Sequence, residues 1–213
     1  MFTRLEFDVS ALSVDRRFAE ENEEGFIELT DEGVRRSLII PSVRLVNDTT
    51  LWGSVGPISG GRSSLALQRA WESGGDFGYF TGIADVRKYV RIGARHSLAL
   101  KLVAARSTGS NAQNFFVGGV NSLRGYDDFS IRGKNIALTS LEFRYPFIDH
   151  LQIASPIPLT LWGLRGVMFL DLGAAWDDDF RGVISEGGVL RIKESPASHG
   201  FGVRMNLSMF VVR

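Results

Sequence analysis

Residues 137–147 read ALTSLEFRYPF, and the strict alternation in this stretch decides the fold class. One set of alternating positions is mostly apolar and consists of Ala137, Thr139, Leu141, Phe143, Tyr145 and Phe147. The other set is polar or ionised and contains Ser140, Glu142 and Arg144. Because successive side chains of a strand point to opposite faces of a sheet, the pattern predicts a strand with one apolar and one polar face.

The same alternation recurs along the chain. Leu5, Phe7 and Val9 alternate with Glu6 and Asp8, and similar patterns cover residues 164–176 and 201–209. Segments rich in turn residues, at 55–62, 73–78, 91–95 and 182–198, separate these stretches. The sequence therefore predicts about eight strands, near residues 2–13, 36–48, 62–72, 78–92, 96–107, 134–147, 163–177 and 199–213.

Strand length and the distribution of charge favour a membrane barrel. Several predicted strands reach the length of about 9–11 residues that a tilted membrane-spanning strand needs. Aromatic residues lie near strand ends, where membrane barrels have their girdles, and ionised residues occupy the polar face at strand centres: Asp8, Arg44, Glu142, Asp171 and Arg204. Arg69 and Lys88 fall on apolar faces. They are compatible with a membrane barrel only if their charged groups reach the membrane–water interface. The strands of a soluble sandwich or lipocalin-like barrel also alternate between apolar and polar residues. We nevertheless predict an all-β, antiparallel transmembrane barrel.

Composition excludes several other classes of protein. The chain has 24 basic and 24 acidic residues, so it lacks the positive excess of a nucleic-acid-binding protein. It has no cysteine, and its three histidines are far apart, so we expect no metal site and no cofactor. Neither the G-x-S-x-G motif of hydrolases nor the phosphate-binding GxxxxGK[ST] motif is present, so we expect no catalytic residues.

Three motifs resemble the C-terminal barrel of BamA-type proteins, also called the bacterial surface antigen family. The first, in a long loop at about 108–133, combines Gly118 and Gly119 with the tetrapeptide Leu123, Arg124, Gly125 and Tyr126. The second is Ser140-Leu141-Glu142-Phe143, and the third is Phe169-Leu170-Asp171-Leu172-Gly173. The three motifs occur in the order expected for the family.

The resemblance implies that the long loop folds back into the barrel lumen. Arg124 would then contact Asp171 and Glu142, which alternation independently places on the polar face. Gly118, Gly119 and Gly125 would let the backbone turn tightly and approach the wall. Taken without the resemblance, a glycine-rich loop with one arginine is more often a solvated surface loop.

The resemblance also implies a location, partners and a larger parent barrel. Relatives have about sixteen strands, within the range of such barrels, so residues 1–213 would be a single partial barrel domain in a bacterial or organelle outer membrane. A closed barrel of about eight strands is the alternative. Expected partners are outer-membrane lipid, unfolded outer-membrane protein clients and periplasmic domains of the same parent chain, but not nucleic acid.

The predicted function is non-enzymatic: assembly, insertion or translocation of proteins at the outer membrane. A secretion channel for one dedicated partner is a close alternative. Two further alternatives are an outer-membrane barrel enzyme of the phospholipase or protease type, and a surface-antigen barrel fused to another module. An enzyme would need a Ser–His or Asp–His pair at one level of the wall.

Overall fold

Strands dominate the computed structural model, which describes residues 1–21, 27–53, 56–154, 159–178, 183–186, 189–192 and 195–204. In chain order they are β1 (Phe2–Glu21), β2 (Ile27–Asp48), β3 (Leu51–Gly53), β4 (Gly56–Glu72), β5 (Gly78–Ile92), β6 (His96–Thr108), β7 (Phe115–Val117), β8 (Ile131–Gly133), β9 (Asn135–Ile153), β10 (Leu159–Trp176), β11 (Val183–Glu186), β12 (Val189–Ile192) and β13 (Ala197–Arg204). The described ranges contain no helix that is long and apolar enough to cross a membrane.

Eight of these strands form one antiparallel sheet in the order β1-β2-β4-β5-β6-β9-β10-β13. Each long strand therefore lies beside the next long strand of the chain, which is the up-and-down arrangement of membrane barrels. The seven long strands from β1 to β10 have 13 to 22 residues, more than a bilayer requires. Within the described ranges, β1 pairs only with β2 and β13 only with β10, so the sheet is open. The predicted antiparallel all-β fold is confirmed.

The two faces of the sheet have the polarity of a membrane barrel. Apolar side chains are exposed on the same face of β4, β5, β6, β9 and β10. Their accessible fractions are 48% for Leu65, 45% for Val86, 41% for Leu102, 37% for Leu141 and 56% for Met168. On the opposite face, Glu142 is 7% and Asp171 0% accessible. A soluble barrel would bury the first set and expose the second. We call the face with Glu142 and Asp171 the lumen face.

Aromatic and basic residues on the outward face fit this orientation. Trp71 and Phe80 lie near the strand ends on one side of the membrane-spanning region, and Phe147 lies towards the opposite strand ends. This is the distribution expected for interfacial girdles. Arg69 and Lys88 are exposed on the outward face, a few residues from the ends of β4 and β5. Long side chains at such positions can reach the membrane surface with their charges.

Several strand boundaries differ from those predicted. β1 and β2 extend past the predicted strand limits at residues 13 and 36 and pair as far as Glu21 and Ile27, because backbone pairing continues where the sequence no longer alternates strictly. The segment 55–62 is not a turn, since β4 begins at Gly56, and 182–198 includes the hairpin β11–β12. Residues 205–213 of the last predicted strand lie outside the described residues.

The connections define two ends of the sheet. Residues 93–95 join β5 to β6 in a tight turn at what we call the short-turn end. The long loop at 109–134, between β6 and β9, lies at the opposite end, which we call the loop end. This segment, which overlaps the loop proposed at about 108–133, contains two short strands, β7 and β8, that pair with each other.

Substitution of neighbouring residues on opposite faces tests the orientation of the sheet. Leu67 faces outward and Gln68 lines the lumen face of β4. We expect Leu67→Arg to lower the free energy of unfolding in lipid vesicles by about 2–4 kcal/mol, because it places a charge in hydrocarbon. Gln68→Arg is the matched control and should cost less than about 1 kcal/mol. A larger loss for Gln68→Arg would show that the faces are reversed.

Candidate functional site

The long loop packs on the lumen face through an apolar contact. Val117 and Leu123 of the loop are fully buried and form a cluster with Ala105 of β6 and Ile136 of β9. Partly buried side chains complete the cluster: Phe115, Ile131, Leu138 and Ala175. The loop therefore has its own hydrophobic anchor on the wall, in addition to any polar contact.

Gly173 of β10 makes room for this anchor. A Cβ atom built on Gly173 would lie 3.1 Å from Leu138 and 3.4 Å from Leu123. The absence of a side chain thus lets Leu123 lie directly against the strand. This close approach places the next residue, Arg124, beside the polar residues of β9 and β10.

Arg124 forms a bidentate ion pair with Asp171. Its Nε donates to Oδ2 and its Nη2 to Oδ1, each at 2.6 Å, and its backbone N–H donates to Oδ2 at 3.3 Å. The Asp171 side chain is 0% and the Arg124 side chain 18% accessible. Two parallel charge-assisted bonds to a buried carboxylate are among the strongest polar contacts in proteins.

Glu142 accepts hydrogen bonds from three arginines. Arg124 Nη1 and Arg204 Nη2 donate to Oε1, both at 2.7 Å. Arg144 donates to Oε2 through Nε at 3.0 Å and Nη2 at 2.8 Å. Glu142 thereby links the loop, β9 and β13, and Ser140 Oγ accepts a further bond from Arg124 at 2.9 Å.

The guanidinium of Arg124 also lies over the ring of Phe169, with 3.7 Å between Cζ and the ring centroid. An arginine stacked on an aromatic face gains cation–π attraction, which strengthens when water is excluded. Arg124 is therefore held by two carboxylates, a hydroxyl and an aromatic ring.

A search of protein-family models agrees with this geometry. The Omp85 superfamily domain matches residues 53–213, which is more than half of the chain. The chain belongs to the Omp85 superfamily. Among curated proteins, none matches the chain. Members of the Omp85 superfamily are outer-membrane barrels that assemble or translocate proteins, and they are generally not enzymes.

The structure brings the predicted site residues of this Omp85 barrel together only in part. Arg124, Asp171 and Glu142 are in direct contact, and Leu123 packs beside them. Tyr126 lies further out, is 38% accessible and donates a long bond of 3.4 Å to the Ala197 carbonyl.

The loop glycines serve different purposes. Gly118 and Gly119 have positive φ angles of 130° and 84°, and Cβ atoms there would meet Asp127 and Asp128 of the loop itself, not the wall. Gly125, with φ 84°, is the one whose Cβ would approach the wall, 3.8 Å from Ser198 of β13. Gly118 and Gly119 thus fold the loop on itself, whereas Gly125 lies against the barrel.

Sequence reasoning did not single out Arg144 and Arg204 as partners of Glu142, nor Phe169 as a partner of Arg124. Two of these could have been found, since Arg144 is two residues from Glu142 and Phe169 two residues from Asp171. Residues at i and i+2 of a strand share a face. The contact between Arg204 and Glu142 joins β13 to β9, which are not neighbours in the sheet. No local sequence pattern predicts it.

Other chemistry finds little support in the described ranges. They contain no group of three His, Asp or Glu residues that could hold a metal ion. His96 stacks on Phe143 of the outward face, with 5.8 Å between ring centroids. His199 alternates with Gly200 beside the highly exposed Phe201, so it also faces outward.

Neutralising Asp171 should be far more damaging than neutralising a comparable aspartate of the wall. We expect Asp171→Asn to lower the free energy of unfolding by about 3–5 kcal/mol, because it breaks a buried pair. Asp85→Asn is the control, since Asp85 pairs with Arg87 bidentately at 2.9 and 2.6 Å but is partly exposed, and it should cost about 0–1 kcal/mol. Equal losses in guanidinium unfolding would contradict a special role of the loop pair.

Gly118 is expected to tolerate no side chain. A Cβ there would lie 2.1 Å from the Asp127 carbonyl oxygen, whereas at Gly74, also with positive φ, nothing lies within 4 Å. Both Gly118→Ala and Gly74→Ala introduce backbone strain, so the difference between them isolates the collision. We expect Gly118→Ala to cost about 1–3 kcal/mol more and to accelerate tryptic cleavage at Arg132. Identical stabilities and cleavage rates would show that the loop is not packed as described.

Proposed function

We propose that the chain forms the wall and the lumen loop of a BamA-type barrel that inserts or translocates other proteins at the outer membrane. The observation that carries the proposal is the fixed position of the loop at 109–134, which Arg124 ties to Asp171 and Glu142. The loop is held against the wall at β6, β9, β10 and β13. It also braces β9, β10 and β13 against one another.

The open sheet supports a larger barrel. Unpaired backbone groups in lipid cost several kcal/mol each, and β1 and β13 each have one described neighbour. We therefore propose that further strands complete the barrel, and that its working seam lies away from the braced wall. In such a barrel, exposed strand edges can pair with strands of an incoming client.

The expected partners follow from this arrangement. Outer-membrane lipid contacts the exposed apolar face, unfolded outer-membrane proteins are the clients, and periplasmic domains of the same chain deliver them. A bacterial or organelle outer membrane is the proposed location. The stacking of His96 on the outward-facing Phe143 and the outward position of His199 give no support to a Ser–His or Asp–His pair in the lumen at these two histidines.

Reconstitution of the complete protein tests the proposal. The folded protein in liposomes should shorten the folding half-time of a urea-unfolded outer-membrane barrel severalfold relative to empty liposomes. Folding of the client is measured by its heat-modifiable migration on gels. Arg124→Ala should lose most of the acceleration, because the loop and wall come apart. Arg132→Ala, at an exposed position of the same loop, should retain it.

Two results would count against the proposal. If the folded protein accelerates no client, the assembly role is wrong. If Arg124→Ala and Arg132→Ala fold clients equally well, the braced loop has no part in that role. Uptake of one dedicated partner into the vesicles, without client folding, would support the secretion alternative instead.

A further inference from the structure

A short hairpin folds towards the lumen face at the short-turn end. β3 pairs with the first residues of β4, and the backbone bends at Gly60, whose φ is 88°. A Cβ on Gly60 would lie 2.0 Å from the Thr49 carbonyl oxygen, so the bend needs glycine. Beyond it, the Pro57 carbonyl accepts a hydrogen bond of 2.9 Å from Arg144 Nη1.

A cationic cleft of about 140 Å³ lies between this hairpin and the wall. One side is formed by the hairpin residues Gly53, Gly56, Pro57 and Ile58. The other side carries five arginines from four strands and one turn: Arg91, Arg95, Arg144, Arg165 and Arg204. Among the described residues, no carboxylate lines the cleft.

The nearby carboxylates do not balance these charges. Glu142 pairs with Arg144 and Arg204 but also with Arg124, and Arg95 pairs with Asp149. No described ion pair joins a carboxylate to Arg91 or Arg165. The cleft therefore has a local excess of positive charge beside a low-dielectric wall, which concentrates anions.

Three of the arginines donate at least one N–H group to a neutral backbone carbonyl. Arg91 donates to the carbonyls of Gly93 and Ala94, each at 3.0 Å, and Arg165 donates to the Arg95 carbonyl at 3.0 Å. Arg144 donates to Pro57 of the hairpin. Because a carboxylate accepts a stronger, charge-assisted bond than a neutral carbonyl, an acidic ligand can replace these acceptors.

We propose that this cleft binds the carboxylates of an acidic polypeptide segment that arrives at the short-turn end. Several carboxylates on one chain fit the arrangement better than a small anion, because the arginines are spread over β5, the turn at 93–95, β9, β10 and β13. The cleft also continues into a cavity of about 420 Å³ that shares Arg144, Arg204 and Pro57 with it. Binding displaces the hairpin from Arg144 and opens the way to that cavity.

This site goes beyond the proposed function, and its test involves no assembly reaction. The probe is a fluorescein-labelled oligoglutamate peptide, added to the complete folded protein in detergent micelles and followed by anisotropy. We expect saturable binding that weakens as salt is raised, and none of the matched oligoglutamine. R91Q/R165Q should raise the dissociation constant by about tenfold or more, where tenfold corresponds to about 1.4 kcal/mol.

Arg69→Gln is the matched control, because it removes the same charge from the outward face; it should leave binding unchanged. Heat-modifiable migration verifies that each variant is folded. If the double variant fails to fold, the single variants Arg91→Gln and Arg165→Gln replace it, and each is expected to weaken binding. Absence of oligoglutamate binding, or equal loss in Arg69→Gln, would overturn the proposal. Full displacement of the peptide by pyrophosphate at equal concentration would also overturn it, since a small anion would then suffice.

Discussion

The buried ion contact between Arg124 and the two carboxylates Asp171 and Glu142 is the constraint on which the rest of the structure depends. Removing these charges from water is expensive, and only near-ideal geometry with further hydrogen bonds compensates for it. The structure supplies both, through bidentate pairing, the Ser140 hydroxyl and the ring of Phe169. The apolar cluster around Leu123 packs beside this contact, so the polar and hydrophobic anchors of the loop support each other.

This contact is possible because the sheet has inverted polarity. With apolar residues facing outward, the lumen face is free to carry charged side chains at strand centres, where a soluble barrel would place its core. The same inversion explains the cationic cleft at the short-turn end. One face of the sheet therefore holds a nearly balanced charge cluster around Glu142 and, beyond the hairpin β3–β4, an unbalanced one around Arg91 and Arg165.

Much of the fold follows from the sequence, because strict alternation marks every strand where one face meets lipid. Alternation also places Glu142 and Asp171 on one face, and could have added Arg144 and Phe169. It fails where apolar and polar residues do not alternate strictly, so the ends of β1 and β2 and the hairpin β11–β12 were missed. It fails as well for contacts between distant strands, such as Arg204 with Glu142, and for the inward bend at Gly60, which depends on a close backbone approach.

The most direct test of the central claim is a double-mutant cycle between Arg124 and Asp171. The free energy of unfolding in lipid vesicles is measured for four proteins: the unsubstituted protein, Arg124→Ala, Asp171→Ala and the double variant. Together these values give the coupling energy between the two side chains. A direct, buried contact predicts a coupling of about 2–3 kcal/mol, near the upper end for residues in contact. Losses that add to within about 0.5 kcal/mol would show that the loop is not held to the wall by this pair and would contradict the account.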